Sequence, residues 1–258
     1  MGMDFHNSNN SKTYATREAD VSWYEAMQAI LPLHDISTAL DIGCGGGIYT
    51  KALADMGIKT VIGVDFSETI LHGARENGLN YQNIDFVKGN ALDTKIQANS
   101  YDLLLERALI HHIDDLPSCF AEAYRLLRNN GTFVIQDRTP EDCLLEGNEH
   151  HIRGFFFEAY PELGEKEKKR RHNNDYVIDR LKTAGFKSIE VVKLWETRAA
   201  YSNKQSLLED LRKRTGRSIL HELTEKELAK LVQCIDQALP ENTNIVEKDR
   251  WTIWKAKK

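Results

Sequence analysis

Cysteine is scarce in this 258-residue chain: Cys44, Cys119, Cys143 and Cys234 are scattered and form no C-x-x-C pair. That excludes a zinc knuckle and a disulfide framework, and points to a reducing cytoplasm. Long apolar runs are missing as well. No stretch approaches about 18 uninterrupted apolar residues, so no ordinary membrane helix is expected. The start, MGMDFHNSNNSKTY, lacks a basic segment followed by an apolar one, so no secretory leader is expected. Basic charge is not in excess. Lys and Arg number 34 against 39 Asp and Glu, a net charge of −5, and this argues against a nucleic-acid partner, whose phosphates demand a basic face. There are no internal repeats and no low-complexity linker.

What the chain does have is a rhythm. After a polar start, apolar residues at threes and fours from Tyr14 to Leu31 predict a helix, which Pro32 ends. Strands are then expected at 38–42, 59–65, 84–88, 101–106 and 131–137. Helices are expected between them, at 48–56, from Ser67 to about Asn77, and at 116–127, where Asn129-Asn130-Gly131 stops the chain. Strands alternating with helices at this spacing imply parallel strands joined by right-handed crossovers, hence a doubly wound α/β sheet. The rhythm breaks over 138–174, which holds Phe155-Phe156-Phe157 and the charged run Glu165–Arg171, read as a solvated helix face. It resumes with a helix at 175–184 and a strand at 189–194. Helices around 206–214 and 224–239 follow, then a last strand, RWTIWK, at 250–255. The chain reads as one domain over 1–258, with an N-terminal lid helix at 14–31 and insertions at 138–174 and 198–245 that cap a substrate pocket.

The chemistry gathers at the first strand–turn–helix junction, Ala39-Leu40-Asp41-Ile42-Gly43-Cys44-Gly45-Gly46-Gly47. Glycines there let the chain turn tightly and let a ligand lie against bare backbone. A dinucleotide fingerprint fails, because Ile48 stands where G-x-G-x-x-G/A needs its third small residue. Asp41 would repel a pyrophosphate and attract an ammonium. The loop therefore suits a nucleoside cofactor with a cationic amino-acid tail and no phosphate. Asp65 ends the second strand, where a carboxylate accepts both ribose hydroxyls; its competing role is a helix N-terminal acid beside Ser67.

These residues, with GVD at 63–65, VKGNALD at 87–93, YDLLLERALIHHIDD at 101–115, LLRNNGTFVI at 126–135 and LKTAGFKSIEVV at 181–192, resemble the class I S-adenosylmethionine-dependent methyltransferases of the small-molecule type. The resemblance covers roughly 14–195 and the final strand. It implies a Rossmann-like methyltransferase fold with a mostly parallel seven-stranded sheet, the last strand antiparallel. It implies S-adenosylmethionine as cofactor and S-adenosylhomocysteine as product. Asp41, Gly43, Gly45 and Gly47 match the E/D-x-G-x-G-x-G loop. Asp65 matches the ribose acceptor, Phe66 the apolar neighbour of adenine, and Asn90 and Ala91 the adenine edge. Many relatives have Asp where Asn90 stands. Glu106 and Arg107 fall where relatives pass the methionyl group. Tyr14 and Arg17 match a lid that approaches the methionyl carboxylate, with a surface arginine as the alternative for Arg17.

Methyl transfer from a sulfonium is an in-line displacement that needs no catalytic triad, and a base helps only when the nucleophile arrives protonated. His111 and His112, after the fourth strand, are the candidate bases, with packing or capping as their other role. His150-His151, Asp137 and Asp142 show no complete ligand spacing, so no metal is expected. Cys143 alone is thin support for thiolate chemistry. The expected partner is a small-molecule acceptor, with no nucleic acid, no membrane, and a monomer or homodimer. No N/D-P-P-Y/W motif follows the fourth strand, as amino-methylating enzymes of nucleic acids often have. A methyltransferase acting on a macromolecule and a non-catalytic S-adenosylmethionine-binding protein remain as alternatives.

Overall fold

The computed structural model describes residues 18–241 and 244–258. In chain order the elements are α1 (Val21–Ile30), β1 (Thr38–Ile42), α2 (Ile48–Asp55), β2 (Thr60–Asp65), α3 (Glu68–Gly78), β3 (Ile84–Lys88), β4 (Tyr101–Arg107), α4 (Leu116–Leu126) and β5 (Leu127–Asp137). Then come α5 (Pro140–Cys143), α6 (Ile152–Ala159), α7 (Pro161–Arg170), α8 (Asn174–Thr183), β6 (Lys187–Tyr201), α9 (Lys204–Arg212), α10 (Glu225–Ala238) and β7 (Ile245–Lys257). None of the described helices is long and apolar enough to cross a membrane.

The chain divides into two compact units. The first holds the residues up to Asp137, His172–Leu194 and Thr252–Lys258; the second holds Arg138–Arg171 and Trp195–Trp251. The sequence reading drew one domain with insertions at 138–174 and 198–245. The second unit begins at the same residue, returns to the first three residues earlier, and takes in more of β6 and β7.

The sheet has seven strands in the order β3-β2-β1-β4-β5-β7-β6. β1 pairs in parallel with β2 and β4, β2 with β3, and β4 with β5, while β7 runs antiparallel to β5. Alternation along the strands sends successive side chains to opposite faces. Leu40, Ile42, Leu104, Phe133 and Ile135 join Phe120, Leu126, Val177 and Leu181 of α4 and α8 in one core. Ala39, Val61, Leu103, Leu105 and Val134 join Trp23 and Met27 of α1 and Ala52 and Leu53 of α2 in the other. The second unit has its own core, built from Phe156 and Phe157 of α6 and leucines of α9 and α10.

Three local expectations change. Of the helix expected from Tyr14, residues 14–17 lie outside the described residues, and α1 begins at Val21, where the Asp20 carboxylate accepts from the Ser22 N–H at 3.0 Å and caps it. Leu127, expected in a helix, already pairs with Tyr101, and β5 starts before Gly131 with a register shift opposite Tyr101 and Leu103. The charged run is not wholly solvated. Glu167 and Arg171 are buried and bond at 2.6 Å, four residues apart on one helical face, while Glu165, Lys166, Lys168 and Lys169 stay exposed.

Candidate active site

The glycine turn joins β1 to α2. Gly43, Gly45 and Gly47 all have left-handed φ, +74°, +54° and +80°. At Gly43 a Cβ would stand 2.8 Å from Leu109 Cδ1, and at Gly47 one would stand 2.8 Å from Phe86 Cζ, so both conformation and space demand glycine. At Gly45 a Cβ would meet nothing within 4 Å. The turn is tied to β2, with the N–H groups of Gly43 and Cys44 donating to the Val64 carbonyl at 2.7 and 3.0 Å.

Two carboxylates flank it. Asp65 Oδ2 accepts from the Gly45 N–H at 3.1 Å and Oδ1 from the Ser67 N–H at 2.9 Å. The helix-terminal role weighed for Asp65 is thus present. A carboxylate has about four acceptor sites, so two such bonds leave capacity for hydroxyls. Burial raises its pKa and the backbone donors oppose the rise. Asp41 is 2% exposed and accepts from Thr50 Oγ1 at 2.7 Å. Burial pushes it up to about 6; the Thr50 bond and the Arg107 charge pull it down, and neighbouring Asp65 adds to the rise. The Arg107 guanidinium lies over the Tyr49 ring at 4.1 Å. Tyr49 in turn packs edge-on against Trp23, whose Nε1–H donates to Gln136 Oε1 at 2.9 Å. Phe66, one residue past Asp65, is 57% exposed, as the apolar neighbour of a bound ring would be.

Not every expected residue is brought to this cluster. Glu106 points to the opposite face of the sheet, fully buried beside Cys119 Sγ at 3.4 Å, and burial pushes its carboxyl up to about 8. Asn90 is exposed, but its Oδ1, the atom expected to face adenine, accepts from the Leu92 N–H at 3.0 Å in an Asx turn. Ala91 packs against the α4–α8 core. Tyr14 and Arg17 lie outside the described residues.

The histidines sit on a turn of their own. Ala108, at φ +52°, swings the chain out of β4 into the short 3-10 turn Ile110–His112. His111 Nδ1 lies 2.8 Å from Asp137 Oδ2 and 3.0 Å from Oδ1, and its backbone N–H also reaches that carboxylate. Both groups are well buried, with side chains 10% and 1% exposed. The carboxylate accepts from Nδ1–H, which keeps the proton on Nδ1 and leaves Nε2 as the basic nitrogen. The His112 ring rests on that of His111, 4.0 Å between centroids. Leu109, whose side chain covers Gly43, packs the histidine turn onto the glycine turn.

Asp137 is the residue the sequence reading missed in this role, having weighed it only as a metal candidate. The signal was its place at the carboxyl end of β5, the neighbour of β4 in the sheet. In the second unit, His151 is buried with Nδ1 3.2 Å from the Glu146 carbonyl, an arrangement of structural type. Cys143 is fully buried, which pushes its thiol up and away from thiolate chemistry.

Residues 40–135 match a family model described as a methyltransferase domain. The demethylmenaquinone methyltransferase of Bacillus licheniformis is 28% identical over 122 residues, 46% of this chain and 53% of that enzyme. The ubiquinone biosynthesis O-methyltransferase of Nitrosococcus oceani is 31% identical over 157 residues, 51% of this chain and 64% of that enzyme. The chain thus spans about half to two thirds of the length of these curated relatives. Among solved structures, phosphoethanolamine N-methyltransferase 2 of Haemonchus contortus, in complex with S-adenosyl-L-methionine, superposes with a TM-score of 0.59 at 20% identity, over 99% of this chain and 60% of that one. Residues 40–135 therefore match a methyltransferase domain, and the seven-stranded fold around them is one that solved methyltransferases share.

Proposed function

We propose that the protein transfers a methyl group from S-adenosylmethionine to a small-molecule hydroxyl or amine, with His111 as the base that takes the acceptor's proton. The observation that carries this reading is the pairing of His111 with Asp137, on a turn packed through Leu109 against the glycine turn. The residues of the glycine turn fit the cofactor. Open space at Gly45 leaves room for a ligand against the backbone. Asp65 is held for ribose hydroxyls, Phe66 stands ready beside a base, and buried Asp41, whose desolvation the Arg107 charge offsets only in part, would gain from a ligand ammonium. Arg107, fixed over Tyr49, is the candidate for the methionyl carboxylate.

When bound, S-adenosylmethionine supplies an electrophilic methyl group, whose bond to sulfur breaks as a bond to the acceptor oxygen or nitrogen forms. The protein positions and desolvates the reactants. Asp137 holds the His111 ring with Nδ1 protonated and stabilises the imidazolium once Nε2 has taken the acceptor's proton. The relatives, a demethylmenaquinone methyltransferase and a ubiquinone biosynthesis O-methyltransferase, support a small acceptor.

The test is turnover of labelled S-adenosylmethionine on a panel of small phenols, alcohols and amines. Methylated product is expected, with His111→Gln lowering kcat about 10²–10⁴-fold and leaving S-adenosylhomocysteine affinity unchanged. Binding without turnover on any acceptor would favour the non-catalytic alternative, and an unchanged kcat in His111→Gln would remove the base.

A further inference from the structure

The turn that carries His111 is gripped by a third histidine for which neither the fold nor the cofactor loop has a use. His172 is the first residue of the first unit after the insertion that ends at Arg171. Its Nε2 lies 3.0 Å from the carbonyl oxygen of Ile110 and 3.0 Å from that of Ile113. Two carbonyls on one ring nitrogen fix that nitrogen as N–H, donating to both. The two carbonyls bracket His111 and His112.

The imidazole is itself firmly mounted. Its ring stacks on Tyr176 at 5.5 Å with 25° between planes. The next residue, Asn173, caps α8 by accepting from the Tyr176 N–H at 2.8 Å. α8 is pinned to the sheet by Val177 and Leu181, and by a 3.0 Å bond from Trp254 Nε1–H to Asn174 Oδ1. The turn it grips is short. It is three residues long, closed by the Ile113 N–H on the Ile110 carbonyl at 3.1 Å, and it follows a left-handed alanine.

We infer that His172 is a positioning residue for the methyl-transfer base. It clamps both ends of the Ile110–Ile113 turn, so that His111 Nδ1–H stays aimed at Asp137. The inference rests on the role proposed above for His111, and it acts through that residue alone.

Two variants separate clamp from packing. His172→Phe keeps a ring to stack on Tyr176 and loses the donor. His172→Gln loses the ring and returns an N–H donor near the Nε2 position. The full chain, labelled at histidine nitrogen, is observed by NMR both free and with S-adenosylhomocysteine. A slowly exchanging His111 Nδ1 proton is expected in the native protein, identified by its disappearance in Asp137→Asn. It should be lost in His172→Phe and regained in His172→Gln. Retention of the signal in His172→Phe would overturn the inference, as would a loss that His172→Gln fails to restore. The comparison holds in the free protein, so a failure to bind S-adenosylhomocysteine would count against the proposed cofactor and not against the clamp.

Discussion

Asp41 lies near the end of a buried strand, with a carboxyl group that has left water and gained hydrogen bonds from Thr50 in exchange. Its pKa of about 6 against 3.8 means that the folded protein holds a proton there which the unfolded chain gives up. A ligand ammonium beside it would draw that pKa back down, so the ligand binds the ionised form. The sign follows from linkage. Affinity for S-adenosylhomocysteine should be flat above about pH 7 and fall toward tenfold per pH unit below about 6. Calorimetric titration from pH 5 to 8 checks this, and a flat profile would separate Asp41 from the amino group. Glu106 carries a larger shift from the same cause, burial, here on the apolar α4 side of the sheet. Its folded pKa of about 8 lies above 4.5, so stability is highest below pH 4.5 on this group's account and declines as pH rises to 8. The Glu106→Gln protein should lose that decline, up to about 1.4 kcal/mol per pH unit, in denaturant titrations across the same range. A wild-type slope that persists in Glu106→Gln would refute it. Position along β4 is legible in the sequence, and it put Glu106 at the methionyl group. The face is legible only once Leu103 and Leu105 are known to lie with α1, and so Arg107 is the β4 residue the site receives.

At the scale of elements, the alternation of strand and helix was readable because hydrophobic periodicity and glycine or Asn-Gly stops agree with one another. The boundaries were less so, since side-chain bonds decide them. Asp20 caps α1 so that it begins at Val21, and Leu127 leaves α4 for a strand because Tyr101 offers it a partner. The charged run on α7 misled for a related reason. Its composition is that of a solvated face, yet the spacing of Glu167 and Arg171 lets two opposite charges enter the interior together. The glycine turn was legible as a turn, but not the close packing of Leu109 on Gly43. That contact makes a sharp prediction. Gly43→Ala forces a left-handed alanine and a Cβ into Leu109, moving the cofactor turn and the histidine turn apart. Affinity for S-adenosylhomocysteine should fall at least about tenfold and stability by about 1–3 kcal/mol, read by calorimetry and thermal unfolding. Unchanged affinity in a folded Gly43→Ala protein would show that the two turns are independent.

At the scale of the whole molecule, two units share one chain, and the sequence marks the second only by the break in rhythm after Asp137. Its polar interior was not legible, because charged residues far apart in sequence satisfy one another there. Arg217 bonds to Asp210 and Glu247, and Arg153 to Asp249, whose carboxyl is held well below its usual range by the arginines around it. The first unit keeps the part the family shares, the turn between Asp41 and Asp65. The account therefore stands on that turn as a site for S-adenosylmethionine. The measurement that addresses it most directly is calorimetric titration of the full chain with S-adenosylhomocysteine, beside NADH and beside the Asp65→Ala protein. The account predicts binding of S-adenosylhomocysteine, none of NADH, and a loss of about 1.5–3 kcal/mol in Asp65→Ala from the missing charged hydrogen bonds. Binding of NADH alone, or affinity untouched in a folded Asp65→Ala protein, would contradict it.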